Sequence, residues 1–398
     1  MIWRKYHWLL SGLGVSYLGN WVYLVALNVY VLNLTHSPGA VAGIYIVGPT
    51  AKILTSFIAG SLIDRMDKQK LMVWADLLRG FLILLIPFMD SITSIYVLFF
   101  IANVAGSFFG PSSTYYITKH IPNEERQRFN AILGTFNSGS FLLGPALAGL
   151  IILFYSTDAA IWLNSLTFFI CALIISRLPE VEDEERLKGN PITVAAIGKD
   201  FIEVWRFLGG NRSFAVFYVG FQMTLMIAFA LDSQEVTFIK QNLGASDSLY
   251  GIIVALTGGG AIVGGIAAAS LTEKLSVKAY IGFGLFFTMF FYTVFYATNI
   301  LWLGIASFIL LGFVMSFCNT GYETYYQQNV PAHLMGRFGS AATIVFGSIQ
   351  ILFTFLLGLF AEIFSLQATA VIMAIVSVVL AGGVWIQLYS MKAVRKAT

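Results

Sequence analysis

Charged side chains are scarce in this sequence. Asp, Glu, Lys and Arg make up 11% of its 398 residues, against about 25% in soluble globular domains. Hydrophobic residues make up 58%. So few polar groups cannot cover the surface of a folded chain of this length. The composition therefore excludes a soluble globular protein, and the high apolar content excludes a disordered chain.

Cysteine, histidine and basic clusters are also rare. The two cysteines, Cys171 and Cys318, each lie alone in an apolar run, which excludes a disulfide framework and a cysteine-rich metal site. The four histidines are scattered without metal-ligand spacing. The net charge is +3 and no long basic tract is present, so nucleic acid is not an expected partner. We expect neither a metal nor an organic cofactor.

Long apolar runs are what the sequence has in abundance. A membrane helix needs about 20 apolar residues at about 1.5 Å of rise each, and a β-barrel would show alternating ten-residue strands instead. The sequence therefore predicts an all-α membrane protein with twelve transmembrane helices, the first of them uncleaved. The predicted spans are about 7–34, 39–63, 71–89, 93–118, 131–155, 158–178, 213–241, 248–271, 277–297, 300–326, 338–363 and 367–390.

The basic residues predict the orientation of the chain. An even number of spans puts both termini on one side, and nearly all the Lys and Arg residues of the loops fall on that side. Only Lys240 falls near the other. Because cytoplasmic loops are enriched in Lys and Arg, both termini are expected in the cytoplasm.

The two halves of the sequence repeat each other at an offset of 209 residues. Residues 61–65 (Ser-Leu-Ile-Asp-Arg) align with 270–274 (Ser-Leu-Thr-Glu-Lys), and Pro122 aligns with Pro331. The offset predicts two pseudo-symmetric six-helix halves, 1–178 and 213–398. A cytoplasmic linker at 179–212 would join them and contain an interfacial helix around 197–208. Parallel repeats of this kind build secondary transporters whose substrate is bound at mid-membrane.

Two motifs resemble those of a known family. The loop after the second span, Gly60-Ser-Leu-Ile-Asp64-Arg65-Met-Asp67-Lys68, resembles the G-x-x-x-D-R-x-G-R loop of the major facilitator superfamily. Asp67 replaces its second glycine, and aspartate tolerates a left-handed turn better than most residues. In the fifth span, Ser140-x-x-x-Gly144-Pro145-x-x-Ala148-Gly149 is similar to the antiporter motif of the same superfamily.

Two further segments narrow the resemblance. Asp76-Leu-Leu-Arg79-Gly80 and the loop from Pro122 to Arg128 are similar to the drug:proton antiporter branch, which contains macrolide-efflux and siderophore-export proteins. The resemblance covers the whole chain. It implies the major facilitator fold in a bacterial cell membrane, alternating access by rocking of the two halves, and a monomer as sufficient for transport.

The resemblance and the repeat also imply roles for these motifs. Asp64 would dock on the N-terminus of span 11, near residues 336–339, and close the inner side; the alternative is a polar loop that only sets topology. Gly144, Pro145 and Gly149 would kink and pack span 5; the alternative is packing alone. The expected gating residues are Gly60, Asp64, Arg65, Lys68, Asp76, Arg79, Arg128 and Arg337.

Charges inside spans are costly and usually face a cavity or a partner. Asp232 and Glu235 share a face of span 7 without a nearby cation, as a group that takes up and releases protons requires; the alternative is a wetted vestibule. Lys52 lies halfway along span 2 and would pair with an acid or attract an anionic substrate. Asp76 and Arg79, one turn apart, would neutralise each other. The expected proton-coupling and cavity residues are Asp232, Glu235, Glu323, Lys52, Asn20 and Gln350.

Aromatic residues make up 15% of the chain, and interspersed amides would suit a large cavity for bulky amphipathic compounds. The sequence therefore predicts proton-coupled efflux of such compounds. An importer or facilitator of a polar solute would need more charge in the cavity. A lipid flippase would share the fold. An enzyme is not expected, because the sequence has no catalytic constellation and no phosphate-binding loop; Gly258-Gly259-Gly260 indicates close helix packing instead.

Overall fold

The chain is helical throughout the part described by the computed structural model, residues 2–179, 194–271 and 273–390. Every predicted span has a helix in its place. The helices are α1 (Ile2–Thr35), α2 (Pro38–Arg65), α3 (Lys68–Leu85), α4 (Ile92–His120), α5 (Asn123–Phe154), α6 (Thr157–Ser176), α7 (Val194–Gly210), α8 (Arg212–Asp232), α9 (Glu235–Thr237), α10 (Asp247–Ser270), α11 (Val277–Ala297), α12 (Leu301–Asn329), α13 (Ala332–Ile363) and α14 (Leu366–Ser390). Helix α7 stands where the sequence predicts an interfacial helix.

Ten of these helices are long and apolar enough to cross a membrane: α1, α3, α4, α6, α8 and α10 to α14. Helix α5 makes an eleventh if its two segments, Ile132–Phe141 and Leu143–Phe154, count as one bent span. The side chains of residues 56–65 in α2 lie outside the described part of the chain. The multi-pass helical fold is confirmed, and the twelfth span stays a prediction.

The helices form two compact units. The first comprises Met1–His36 and Val47–Val194, and the second comprises Ser37–Ile46 and Ala195–Thr398. Helix α2 therefore passes from the second unit into the first between Ile46 and Val47. Pro49 follows directly and cannot donate a backbone hydrogen bond to the carbonyl of Tyr45. The helix thus lacks a hydrogen bond at the border of the units. The boundaries predicted at 178 and 213 stay a prediction.

Polar side chains fix where several helices begin. The hydroxyls of Ser156, Ser246 and Ser276 precede α6, α10 and α11 and accept from the amide three residues later, at 3.0, 3.2 and 3.2 Å. Asp67 caps α3 in the same way, accepting from the amide of Lys70 at 3.1 Å. Its φ of −64° is ordinary. Asp67 therefore acts as a helix cap, and the left-handed turn considered from the sequence is wrong.

The core of the first unit is built by α1 against α5 and α6, and by α3 against α4 and α6. Gln69, buried near the start of α3, donates to the carbonyls of Ile175 and Leu178, both at 2.8 Å. This amide satisfies the end of α6 and fixes α3 against it. The buried cluster around these helices includes Tyr6, Leu9, Leu10, Leu13, Met72, Phe109, Tyr116, Phe129, Cys171 and Ile175.

In the second unit, glycines bring α10 and α12 into backbone contact. A Cβ on Gly260 would lie 2.5 Å from the carbonyl oxygen of Ile309, and a Cβ on Gly312 would lie 2.6 Å from that of Thr257. Neither helix could approach so closely with a larger residue at these positions. The close packing predicted for the triple glycine is confirmed at Gly260.

Replacing Gly260 by alanine should destabilise the second unit by about 1–3 kcal/mol, because the added methyl group meets backbone that cannot rotate away. The matched control is Gly259→Ala, whose Cβ meets nothing within 4 Å. Thermal unfolding of the purified protein in detergent should show a lower midpoint for Gly260→Ala only. Equal midpoints for the two variants would contradict this account of the α10–α12 contact.

Candidate functional site

The two acids predicted for proton coupling lie where the helix of span 7 is interrupted. Helix α8 ends at Asp232, and the single turn α9 begins at Glu235 and continues as a π-helical turn over Phe238–Asn242. At the break, the hydroxyl of Ser233 donates to Ala230 O at 2.6 Å, and that of Tyr296 donates to Leu231 O at 2.6 Å. These hydroxyls satisfy carbonyls at the break. Broken helices inside a membrane occur where protein or a cavity surrounds them.

Each acid is held by a tyrosine from another helix. Tyr292 of α11 donates to the carboxylate of Asp232, and Tyr250 of α10 donates to Oε1 of Glu235 at 3.0 Å. The carboxylates also interact with each other electrostatically. Both acids are only half-buried, so part of each residue stays accessible. The structure thus brings Asp232 and Glu235 together, as predicted.

No basic side chain pairs with either acid among the residues that the structure describes. The basic residue next along the chain, Lys240, forms an ion pair with Asp247. The pair of acids therefore has hydroxyl partners only. A carboxylate that is not paired with a fixed cation can gain or lose a proton without breaking an ion pair.

The first residues of α2 attach to the second unit beside these acids. Gln234, between Asp232 and Glu235, donates to the carbonyl of Pro38 at 3.0 Å. At the end of α13, Glu362 accepts hydrogen bonds from the hydroxyl of Ser37 and, at 3.2 Å, from the amide of Gly39. We call residues 37–46 the α2 head. Its Tyr45 lies near Tyr250 and Tyr296.

The first unit holds a different charged group. Asp76 and Arg79 form an ion pair at 3.3 Å, which confirms the predicted neutralisation. Arg79 also donates to the side-chain oxygen of Asn20 at 3.0 Å, and its guanidinium carbon lies 3.9 Å from the centre of the Phe168 ring. Asn20, predicted as a cavity residue, is thus a partner of Arg79.

The proline motif bends α5 as predicted. The axis turns by 44° between the segments that end at Phe141 and begin at Leu143, and Phe141 is the residue whose carbonyl Pro145 cannot bond. A Cβ on Gly144 would collide with the side chain of Trp21 in α1. Gly149 is buried. Gly144 and Pro145 therefore set both the bend and the close approach of α1.

Other predicted residues have surroundings of their own. Lys68 is buried, with its amine 4.7 Å from the centre of the Tyr115 ring. Glu323 is exposed on α12 and Gln350 is half-buried on α13; within the described chain, no hydrogen bond joins either to the acid pair. Several residues predicted for the gate lie where the structure describes no side chains: Gly60, Asp64, Arg65, Arg128 and Arg337. The gate therefore stays a prediction.

Sequence reasoning missed three important residues of the site. Tyr250 and Tyr292 lie in strongly apolar helices, where a buried hydroxyl needs a hydrogen-bond partner. The sequence therefore indicates that each tyrosine has a polar partner, but it does not identify which acid that partner is. Glu362 is an acid inside a predicted span, and the rule applied to Asp232 would have selected it.

Comparison with known proteins places the fold in a family. The sequence matches the profile of the Major Facilitator Superfamily over residues 9–354. It is 24% identical over 358 residues to the MFS-type transporter YfiS of Bacillus subtilis (strain 168), covering 86% of this chain and 81% of that one. The solved structure of the nucleoside transporter NupG superposes with a TM-score of 0.72 at 14% identity, covering 97% of this chain and 99% of that one.

Two further relatives carry the names of exporters. A protein named as a bacilysin exporter, BacE of Bacillus subtilis (strain 168), is 27% identical over 174 residues, which are 43% of each chain. Macrolide efflux protein A of Streptococcus pyogenes is 22% identical over 186 residues, 45% of this chain and 46% of that one. Each of these two alignments spans less than half of either protein.

The contact between the α2 head and α13 can be tested by a disulfide. A Cβ on Gly358 would lie 2.9 Å from Cβ of Ala42, somewhat closer than a disulfide needs. With Cys171 and Cys318 replaced by serine, the pair Ala42→Cys and Gly358→Cys should therefore cross-link under mild oxidation, as measured by mass spectrometry.

The matched control pairs Ala42→Cys with Leu359→Cys. Leu359 is the next residue and is exposed, so its side chain leaves α13 in a different direction. Cross-linking of the control as fast as the test pair would show that the α2 head is not held against Gly358.

Proposed function

Because this chain belongs to the Major Facilitator Superfamily and is therefore a multi-pass membrane transporter, we propose that it exports amphipathic small molecules in exchange for protons. The observation that carries the proposal is the acid pair Asp232 and Glu235, held by hydroxyls at a broken helix. Costly charges inside a span are retained where they do transport work. The site would lie in the cell membrane, with both termini in the cytoplasm.

Proton coupling needs a group that changes its charge without destroying its surroundings. A tyrosine hydroxyl can donate to a carboxylate and can accept from a protonated carboxyl. The contacts of Tyr292 with Asp232 and of Tyr250 with Glu235 can therefore exist in both protonation states. A lysine or arginine partner has no acceptor and would favour only the charged acid.

Export, as the direction, is supported by the exporters among the relatives and by the Gly144-Pro145 motif. The apolar composition favours substrates that bind through area and a few polar contacts. One chain suffices for such a cycle, and no cofactor takes part in it. A facilitator on the same fold would have no use for a protonatable pair, which makes proton movement the deciding measurement.

Neutralising the acids should uncouple transport. Proteoliposomes with an imposed pH gradient and an internal pH dye should show proton flux that is stimulated by one of a panel of hydrophobic cations, hydrophobic anions, macrolides and siderophores. Asp232→Asn or Glu235→Gln should reduce this flux by at least tenfold, because the amide cannot carry a proton, while downhill movement of the same compound persists. The control Glu273→Gln removes an exposed acid from the same unit and should behave as the wild type.

Absence of stimulated proton flux in the wild type with every compound would overturn the proton-driven mechanism. Downhill compound movement without proton flux would then identify a facilitator. Headgroup-dependent movement of fluorescent lipid would identify a flippase instead.

Alternating access predicts that the α2 head must be released from α13 during the cycle. Oxidation of the Ala42→Cys, Gly358→Cys protein should abolish transport of the stimulating compound, and a reducing agent should restore it, since the disulfide holds the head in one position. The Ala42→Cys single variant supplies the control. Full activity of the cross-linked protein would show that the head does not move during transport.

A further inference from the structure

We propose that the first unit carries an anion-binding site formed by Lys52 and Arg79, and that the exported compounds carry an anionic group on an apolar body. The proposal deepens the proposed function, on which it rests, by naming a substrate class.

Lys52 lies too deep in α2 to reach the membrane surface. It is the fifteenth residue of a 28-residue helix, so about 20 Å of helix separates it from each end. A lysine side chain is much shorter than that and cannot extend to either interface. A charge at this depth faces a cavity or a partner.

The face that carries Lys52 is directed toward α4. Gly48 precedes it by one turn and therefore shares its face. A Cβ on Gly48 would lie 3.6 Å from Oδ1 of Asn103 and 3.8 Å from the ring of Phe99, both in α4. The ammonium group also lies within electrostatic range of Arg79 in α3. Lys52 thus lies on the side of α2 that is close to α4 and Arg79.

The Lys52 ammonium has no anionic partner in the described part of the chain. Its side chain is exposed, whereas Ala51 and Thr55 beside it are buried. The acid beside Arg79, Asp76, forms an ion pair with it and is fully buried. Two cations and one carboxylate leave a net positive charge, and the accessible members of the group are the cations.

Arg79 adds donors to the same region. A guanidinium has five N–H groups, of which one contacts Asp76 and another contacts Asn20. The side chain keeps 15% of its surface accessible, against 0% for Asp76. Gly106 of α4 leaves room for this group, since a Cβ there would lie 3.2 Å from Nε. An anion would relieve the repulsion between Lys52 and Arg79 and use their remaining donors.

Nearby neutral side chains are bonded within their own helix. In α4, the Asn103 amide donates to Phe99 O at 2.8 Å and the Ser107 hydroxyl donates to Asn103 O at 2.9 Å. One N–H of the Asn103 amide and the Ser107 hydroxyl are thereby used, so most of the donors that remain for a ligand belong to Lys52 and Arg79. This favours a carboxylate, sulfonate or phosphate over a neutral polar group.

A matched pair of dyes tests the proposal without a proton gradient. N-phenyl-1-naphthylamine is neutral, and 8-anilinonaphthalene-1-sulfonate is the same skeleton with a sulfonate. Binding of each would be measured by fluorescence to the protein in phosphatidylcholine nanodiscs, with empty nanodiscs subtracted. Lys52→Gln should weaken sulfonate binding at least fivefold and change binding of the neutral dye less than twofold. Lys52→Arg should retain sulfonate binding.

Lys274→Gln is the control, because it removes one positive charge from an exposed position in the second unit and should change neither dye. The proposal is overturned if the wild type does not bind the sulfonate above empty nanodiscs, or if Lys52→Gln weakens both dyes equally. If Lys52→Gln fails to fold, Lys52→Arg is the deciding variant. Loss of sulfonate binding in Lys52→Arg, with binding of the neutral dye retained, also overturns the proposal.

A lipid headgroup could supply the same anionic chemistry. Nanodiscs of phosphatidylglycerol separate the two sources. Sulfonate binding that still depends on Lys52 in these nanodiscs supports a substrate site. Its loss there, with the neutral dye unaffected, would assign the site to lipid and overturn the substrate class. This experiment measures binding and no transport. Its result therefore does not depend on whether the protein exports compounds in exchange for protons.

Discussion

A charge placed in hydrocarbon has to be paired or has to face water, and the polar structure of this protein follows from that constraint. The first unit meets this constraint with an ion pair between Asp76 and Arg79. Arg79 also donates to Asn20 and lies over the Phe168 ring. The second unit meets it with hydroxyls, which Tyr250 and Tyr292 bring to Glu235 and Asp232. The two solutions differ in what they permit. An ion pair fixes both charges, whereas a hydroxyl accommodates a carboxyl with or without its proton.

Under the proposed function, this difference would give the two units distinct roles. Proton uptake would belong to the second unit, where the acid pair has no cationic partner among the described residues. Recognition of charge on a substrate would belong to the first unit, where Lys52 remains after Asp76 and Arg79 have paired. Protons and substrate would then not compete for the same side chains. A single carboxylate serving both would link release of one to binding of the other through direct displacement.

The sequence predicts the parts of this arrangement that depend on local patterns. Span positions follow from apolar runs, and the bend in α5 follows from Pro145 because a missing donor acts on the carbonyl four residues earlier. The acid pair is visible because Asp232 and Glu235 are three residues apart. Their tyrosine partners cannot be identified from the sequence in this way. Tyr292 is 60 residues from Asp232, and sequence spacing does not specify which helices pack together. The α2 head is also invisible, because its contacts with Gln234 and Glu362 span more than 190 residues.

The α2 head is hydrogen-bonded beside the acid pair. Gln234 lies between Asp232 and Glu235 and donates to the carbonyl of Pro38, so the break between α8 and α9 is bonded to the first turn of α2. Helix α2 then passes into the first unit just before Pro49, where one backbone hydrogen bond is missing, and it carries Lys52 one turn later. A helix that lacks a bond at this point bends there more easily than elsewhere. One continuous helix therefore runs from the contact beside the acids to Lys52, and Pro49 lies between the two.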